Sequence, residues 1–248
     1  MKVAIITGGS RGIGKSIALN TAKRGVGVIL TYNNNREEGL AVANEIKKNG
    51  GKAVALQWDS SKVASFGDFT AQVKESLKDE FGKETFDFLV NNAGISGQRG
   101  SILETTEEGF DELVNVNLKG PYFLTQKLVP LMADGGHIIN ISSGLARFAF
   151  PNVAVYGALK SALEGFTRYF AKEFADRKIR ANSVAPGAVD TEFGGGKDSN
   201  VKKHISEMTA LGKMAEAEDI GLFVASLLTD DSRFLNAQRI ELSGGFFI

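Results

Sequence analysis

The 248-residue chain has no cysteine, two histidines, four prolines and one tryptophan. Without cysteine, disulfides, thiolate metal sites and cysteine nucleophiles are excluded. An excess of one charge is missing too: 29 Lys and Arg balance 29 Asp and Glu, and no five like charges run together. Charge therefore gives no support to a nucleic-acid or membrane-surface partner. No apolar run reaches the roughly 18 residues of a spanning helix. The opening MKVAIITGGSRG lacks the long apolar core of a signal peptide, so a cytoplasmic location is expected. His137 and His204 are far apart and no HExxH occurs, so no metal site is expected. His137 opens an apolar run, where a solvated or edge position is expected. Ser143 lies in SSG rather than in a G-x-S-x-G elbow, which argues against a serine hydrolase.

What the chain does have is alternation. Short apolar or β-branched runs at 2–7, 26–32, 52–57, 86–90, 136–141, 178–184 and 237–241 read as strands. Their continuous apolar character suits strands buried on both faces of a parallel sheet. Helical patterns fill 13–24, 36–49, 62–80, 106–133, 155–176 and 215–228. This alternation predicts an α/β fold: a doubly wound, Rossmann-type parallel sheet of about seven strands with helices on both faces. No linker, repeat or low-complexity tract interrupts it, so residues 1–248 are read as one domain, with a glycine-rich irregular lid at about 188–212.

The first strand runs into TGGSRGIG at 7–14. Gly8, Gly12 and Gly14, with Ser10, Arg11 and Ile13 between them, have the spacing G-x-x-x-G-x-G. A side chain at such glycines would keep a diphosphate from the backbone or the helix from the sheet. The following helix aims free N–H groups and its positive dipole end at the phosphates. An NAD-binding fold usually places a carboxylate about 20 residues on, at the end of the second strand. Here that region reads Thr31, Tyr32, Asn33, Asn34, Asn35, Arg36, and no acid appears before Glu37. Arg11 and Arg36 suit the forked contacts of a 2′-phosphate, so NADP(H) is expected over NAD(H), with Asn33 at the same edge.

VAVYGALKSAL at 153–163 holds one phenol and one ammonium, Tyr156 and Lys160, among small and aliphatic residues. Positions i and i+4 share a helix face. A neighbouring ammonium favours the phenolate, so the Tyr156 pKa is expected to fall toward working pH.

Around this pair the chain reads IINISSGLARFAFPNVAVYGALK, preceded by LVNNAG at 89–94 and VNVNLKG at 114–120 and followed by NSVAPGAVDT at 182–191. Together with TGGSRGIG, these segments resemble the compact single-domain branch of the short-chain dehydrogenase/reductase family, over essentially the whole chain. The resemblance implies an NAD(P)-dependent oxidoreductase interconverting a carbonyl and an alcohol. It implies that Ser143, thirteen residues before Tyr156, donates to the substrate oxygen. Ser142 should point to the other side of the strand. By the same resemblance Tyr156 is the general acid or base, Lys160 holds the nicotinamide ribose and tunes the phenol, and Asn117 holds a water linking Lys160 to solvent. From the residues alone, Asn117 reads rather as a satisfied buried amide. The resemblance further places Asn92, Ala93 and Gly94 beside the cofactor, Asp59 and Ser60 on its adenine side, and Pro186, Gly187, Val189 and Thr191 around the nicotinamide.

For the substrate, the chain resembles 3-oxoacyl-(acyl carrier protein) reductases and sugar or alcohol dehydrogenases. A small carbonyl or alcohol is therefore expected, with an acyl thioester among the candidates. Phe148, Phe150 and Phe193 suit an apolar lining, and Arg99 and Arg147 could meet an anion. Arg177 and Lys178 are where a carrier protein would want basic residues, but LMADGG at 131–136 offers Asp134 and no cation. A catalytically silent dinucleotide-binding regulator is the alternative from another class, and the complete Ser143, Tyr156, Lys160 and Asn117 set argues against it. Family members form tetramers or dimers through two long central helices. A stripe of Phe166, Phe170 and Phe174 suits either that contact or the core.

Overall fold

In a computed structural model that describes residues 1–193 and 199–247, the seven apolar runs become seven strands: β1 Val3–Ile6, β2 Gly27–Tyr32, β3 Ala53–Gln57, β4 Phe86–Asn91, β5 Met132–Ile141, β6 Arg180–Pro186 and β7 Arg239–Leu242. They form one sheet in the order β3-β2-β1-β4-β5-β6-β7. Every pairing is parallel. The expected doubly wound α/β architecture is therefore present. Its strand order reverses between β1 and β4, where such folds open a crevice beyond the carboxyl ends of the strands.

The strands read as unbroken apolar runs because both faces are covered. Val3, Ile5 and Ile29 point into one layer, against Phe66, Val73 and Leu77 of α3 (Phe66–Phe81) and Leu124 and Leu128 of a later helix. Ala4, Ile6, Val28 and Leu30 point the other way. They meet Ile17 of α1 (Gly12–Lys23) and Val42 and Ile46 of α2 (Arg36–Lys48). This is the period-two alternation of a strand serving two cores.

Three segments depart from the sequence expectation. The helix read over 106–133 is in fact α4 (Glu107–Val114), a π-helical turn at Asn115–Lys119 and α5 (Gly120–Leu128). It stops early because Pro130 sits in a short 3-10 turn, and β5 has already begun at Met132. The lid expected to be irregular contains α7 (Ser199–Glu207), before α8 (Ala217–Leu227). Residues 194–198 of that lid lie outside the described residues. Among the described residues, no helix is long and apolar enough to cross a membrane.

His137 is the third departure. It is fully buried within β5, not at a solvated edge. Its Nδ1 donates to Leu227 O at 3.1 Å and its Nε2 accepts from Asn182 Nδ2 at 2.7 Å, so its partners assign the neutral tautomer. Burial first, and then the nearby Arg180 guanidinium, push its pKa down to about 3, against a smaller opposing effect of the Leu227 hydrogen bond. A folded-state pKa below the ordinary 6.5 means that the unfolded chain binds the extra proton first. The resulting loss of stability begins as pH falls through 6.5 and is complete near 3. It amounts to roughly 5 kcal/mol. His137→Gln is predicted to flatten the stability profile between those limits, measured by denaturant unfolding at a series of pH values; an unchanged acid slope would refute the assignment.

Candidate active site

The phosphate loop owes its shape to what its glycines allow. Gly8 and Gly12 have φ of 65° and 53°, in the left-handed region that side chains disfavour. At Gly14 a Cβ would lie 2.0 Å from Gly8 O and 2.5 Å from Asn92 Nδ2, so α1 can meet the loop only without one. Arg11 is the N-cap residue of α1, whose first turn has no acid and whose cap makes no side-chain hydrogen bond. The leading N–H groups of the helix are thus not taken by a capping side chain, as an anion cradle requires. Ile13 packs on the core, and Ser10 is half-buried.

The loop is bolted to β4. Thr7 Oγ1 accepts from Asn92 N at 2.9 Å and Ala93 N at 3.0 Å, and Asn92 Nδ2 donates to Thr7 O and Gly8 O. Thr31 Oγ1 accepts from Gly8 N. Thr7 and Thr31 were not singled out from the sequence, although a threonine directly before the glycine pair was the available signal. Asn33 and Arg36 are exposed past the end of β2, with Arg36 opening α2. Asp59 Oδ1 accepts from Ser61 N and Ser61 Oγ. Although partial burial acts to raise the Asp59 pKa, these bonds and Lys62 hold it below the usual carboxylate value. Ser60 is buried against Gly120 at the start of α5.

From the other side, the segment after β6 closes over the loop. Gly187 packs on Ser243 so tightly that a Cβ would lie 3.0 Å away. Val189 is buried and bridges to Ala215. Thr191 Cγ2 lies 3.6 Å from where a Gly12 Cβ would be. Arg11 Nη1 meets Glu192 Oε2 at 2.8 Å, an exposed ion pair between the glycine loop and the segment after β6.

Tyr156 and Lys160 stand one turn apart on α6 (Ala154–Glu173), and both are buried. Lys160 Nζ lies 5.5 Å from the Tyr156 ring centroid and donates to Ile141 O at 2.9 Å. Ser143 Oγ accepts from Leu145 N at 3.2 Å, and the Ser143 side chain acts to lower the Tyr156 pKa. Ser142 Oγ donates to Glu164 Oε1 at 2.6 Å. Gly94 is held close: a Cβ there would lie 2.8 Å from Asn117 Oδ1 and 3.8 Å from Lys160 Nζ. Asn117 occupies the π-helical turn, and its amide is saturated by main chain: Nδ2 to Ile95 O and Leu113 O, Oδ1 from Ile95 N. The side chain itself therefore fits the satisfied-amide reading. Tyr156 also lines a cleft of about 340 Å³ with Ser96, Arg99, Leu113 and Val155. The Phe193 ring stands 5.8 Å from the Tyr156 ring.

The electrostatics correct one expectation. Burial raises the Tyr156 pKa above its ordinary value, and the Ser143 hydrogen bond offsets only part of this. Burial also pushes Lys160 down to about 8, which weakens the ammonium that was expected to acidify the phenol. Desolvation disfavours both charged forms. Other expected contacts are spent elsewhere. Arg147 binds Glu241 and the carbonyls of Phe246 and Phe247. Phe148 and Phe150 pack on the same terminal phenylalanines. Arg177 is tied to Asp134, Val129 O and Met132 O. Among the described residues, no three His, Asp or Glu side chains gather as a metal set.

A family model described as "Enoyl-(Acyl carrier protein) reductase" matches residues 8–247. The hydroxynaphthalene reductase-like protein Arp2 of Metarhizium brunneum is 37% identical, over 98% of this chain and 94% of that protein. The angucycline C-6 ketoreductase LanV, solved with bound NADP, superposes with a TM-score of 0.94 at 36% identity, over 99% of this chain and 95% of that one. LugOII, a promiscuous reductase catalysing keto-reduction at C1 during lugdunomycin biosynthesis, gives 0.95 at 35% identity, over 100% and 98%. The chain belongs to the short-chain dehydrogenase/reductase family. Its class is that of NAD(P)-dependent oxidoreductases acting on CH–OH and C=O groups.

The close approach at Gly14 yields a prediction. Gly14→Ala is expected to cost about 1–3 kcal/mol of stability, because α1 must move off Gly8 O. Gly67→Ala, which has open space around its Cβ, should be neutral or stabilising by up to about 1 kcal/mol. Urea midpoints measure both, and a neutral Gly14→Ala would show that the loop is not held by that approach.

Proposed function

We propose that the protein is an NADPH-dependent ketoreductase that reduces a ring-borne ketone of polyketide type to a secondary alcohol. One observation carries the reading: Tyr156 and Lys160 stand buried one turn apart on α6, Tyr156 lines a cleft of about 340 Å³, and a glycine loop shaped to receive a diphosphate packs on Asn92 and Ala93. Gly8, Ser10, Gly12, Ile13 and Gly14 hold the diphosphate, Asp59 and Ser60 border the adenine, and Asn92, Ala93 and Gly94 run along the cofactor to the nicotinamide. Pro186, Gly187, Val189 and Thr191 frame the nicotinamide, and Lys160 and Tyr156 face its ribose. Arg11, Asn33 and Arg36 take the 2′-phosphate. The Arg11–Glu192 pair is exposed on both sides, so a doubly charged phosphate can displace it at a cost of about 0–1 kcal/mol.

Bound there, NADPH supplies the hydride that adds to the carbonyl carbon. Ser143 donates a hydrogen bond to the carbonyl oxygen as negative charge grows on it. Tyr156 gives its phenolic proton to that oxygen, which completes the alcohol. A phenol whose pKa is raised by burial is protonated at neutral pH, the form from which it donates. Asn117 braces the Lys160 side of the site through Gly94 and Ile95.

The ring-borne ketone is suggested by relatives named as a hydroxynaphthalene reductase-like protein and an angucycline C-6 ketoreductase, and by the Phe193 ring near Tyr156. A 3-oxoacyl thioester is the second reading, drawn from the resemblance to 3-oxoacyl-(acyl carrier protein) reductases; the matching family model is also named for an acyl carrier protein substrate. The commitment of Arg177 to Asp134 leaves that cation unsuited to an acidic carrier protein. We place self-association on α5 and α6, where Tyr122, Phe166 and Phe174 are half-buried and Tyr169 is 65% exposed.

The test is NADPH oxidation with tetralones and hydroxynaphthalene-derived ketones, acetoacetyl thioesters, sugars and simple ketones. Turnover with thioesters or sugars alone overturns the ring-ketone assignment. Tyr156→Phe should lower kcat by about 10²–10⁴-fold while NADPH binding, followed by its fluorescence, stays intact; undiminished turnover would refute the acid role. Arg11→Ala should shrink the preference for NADPH over NADH by about tenfold. Equal affinity of the unaltered protein for the two nucleotides would overturn the assignment of Arg11.

A further inference from the structure

Next to the segment that carries Ser143 lies an ionic cluster with no part in the chemistry above. Glu164 follows Tyr156 and Lys160 at the same spacing of four along α6, so all three share one helix face. It is buried, and its Oε1 accepts from Ser142 Oγ at 2.6 Å and from Arg239 Nε of β7 at 2.9 Å. Arg239 Nη1 continues to Glu241 Oε2 at 2.6 Å, and the same oxygen receives Arg147 Nε at 3.0 Å. Charges alternate along the chain Glu164, Arg239, Glu241, Arg147, and sum to zero. Gly144 packs against its middle: a Cβ there would lie 3.4 Å from Glu241 Oε1.

The cluster grips the segment that carries Ser143 from both ends. Upstream, Lys160 holds Ile141 O and Glu164 holds Ser142 Oγ, so two side chains one turn apart on α6 hold the last residue of β5 and the residue directly after it. Downstream, Glu241 holds Arg147. Only the Ser143–Ala146 turn lies between the two anchors. A buried ionic cluster is a poor source of net stability, since desolvation offsets most of its attraction and apolar replacements often do as well. What it provides here is direction, because charge-assisted hydrogen bonds at these distances hold their partners in narrow geometry.

We propose that Glu164, bridged by Arg239 and Glu241 to Arg147, is a positioning residue that sets where Ser143 presents its hydroxyl to Tyr156 and the substrate carbonyl. The proposal rests on the reading of Ser143 given above. Positioning to a fraction of an ångström is what a hydrogen-bond donor to a developing oxyanion needs, and its loss there typically costs about 10²–10³ in rate.

A double-mutant cycle tests it, with single-turnover NADPH oxidation and NADPH affinity as readouts. Glu164→Ala should lower the rate by about 10- to 100-fold, within the limit set by losing the donor outright, with NADPH affinity unchanged. Glu164→Gln, which keeps an acceptor for Ser142, should recover most of that loss. In a Ser143→Ala background, Glu164→Ala should cost little more, because the group through which it acts is already gone. An equal loss in both backgrounds assigns Glu164 a structural role and overturns the proposal. A Ser143→Ala protein of full activity would instead overturn the reading of Ser143. Should Glu164→Ala not fold, Arg147→Ala, at the half-exposed end of the cluster, takes its place in the same cycle with the same criteria.

Discussion

A buried lysine must find an acceptor, and Lys160 has Ile141 O. That bond joins the middle of α6 to the end of β5, and the rest of the site depends on it. It fixes the rotation of α6, hence the direction of Tyr156 one turn earlier and Glu164 one turn later. It also ties down the last residue of β5, two positions before Ser143. The π-helical turn holding Asn117 packs near the same amine, through Gly94 and Ile95, so the sheet, α6 and the broken α4–α5 helix converge on one ammonium.

Such convergence requires burial, and burial sets the electrostatics. The phenol is displaced upward and the amine downward, so both groups move toward neutrality. A charge in so buried a setting meets oriented dipoles. Interactions there are stronger than in solution. The sheet supplies the frame: its order reverses between β1 and β4, and Thr7, Asn92 and Gly8 lock the phosphate loop at that reversal.

The folding class was legible in the residues because two-sided burial leaves a plain mark, a short run with no polar alternation. The loop was legible because glycine is the only residue that tolerates a neighbour at the distance Gly8 O keeps from Gly14. The fate of cations was not. Arg147 and Arg177 read as free charges, but each is committed to an acid brought near by the fold, Glu241 and Asp134. The buried chain of Thr125, Asn91, Asn140 and Thr167 escaped notice too, since its hydrogen bonds join residues from four separate elements.

By itself, then, the order of residues determined the sheet, the glycine loop and the placing of a phenol and an amine on one face of one helix. These depend on periods of two and four and on the size of a side chain, all local quantities. Tertiary structure alone decided that the phenol would be less acidic than an isolated pair implies, that His137 would be a neutral core residue, and that an ionic cluster would stand next to the segment that carries Ser143. Those outcomes follow from desolvation and from pairings between distant elements. Neither quantity exists until the chain has closed around them.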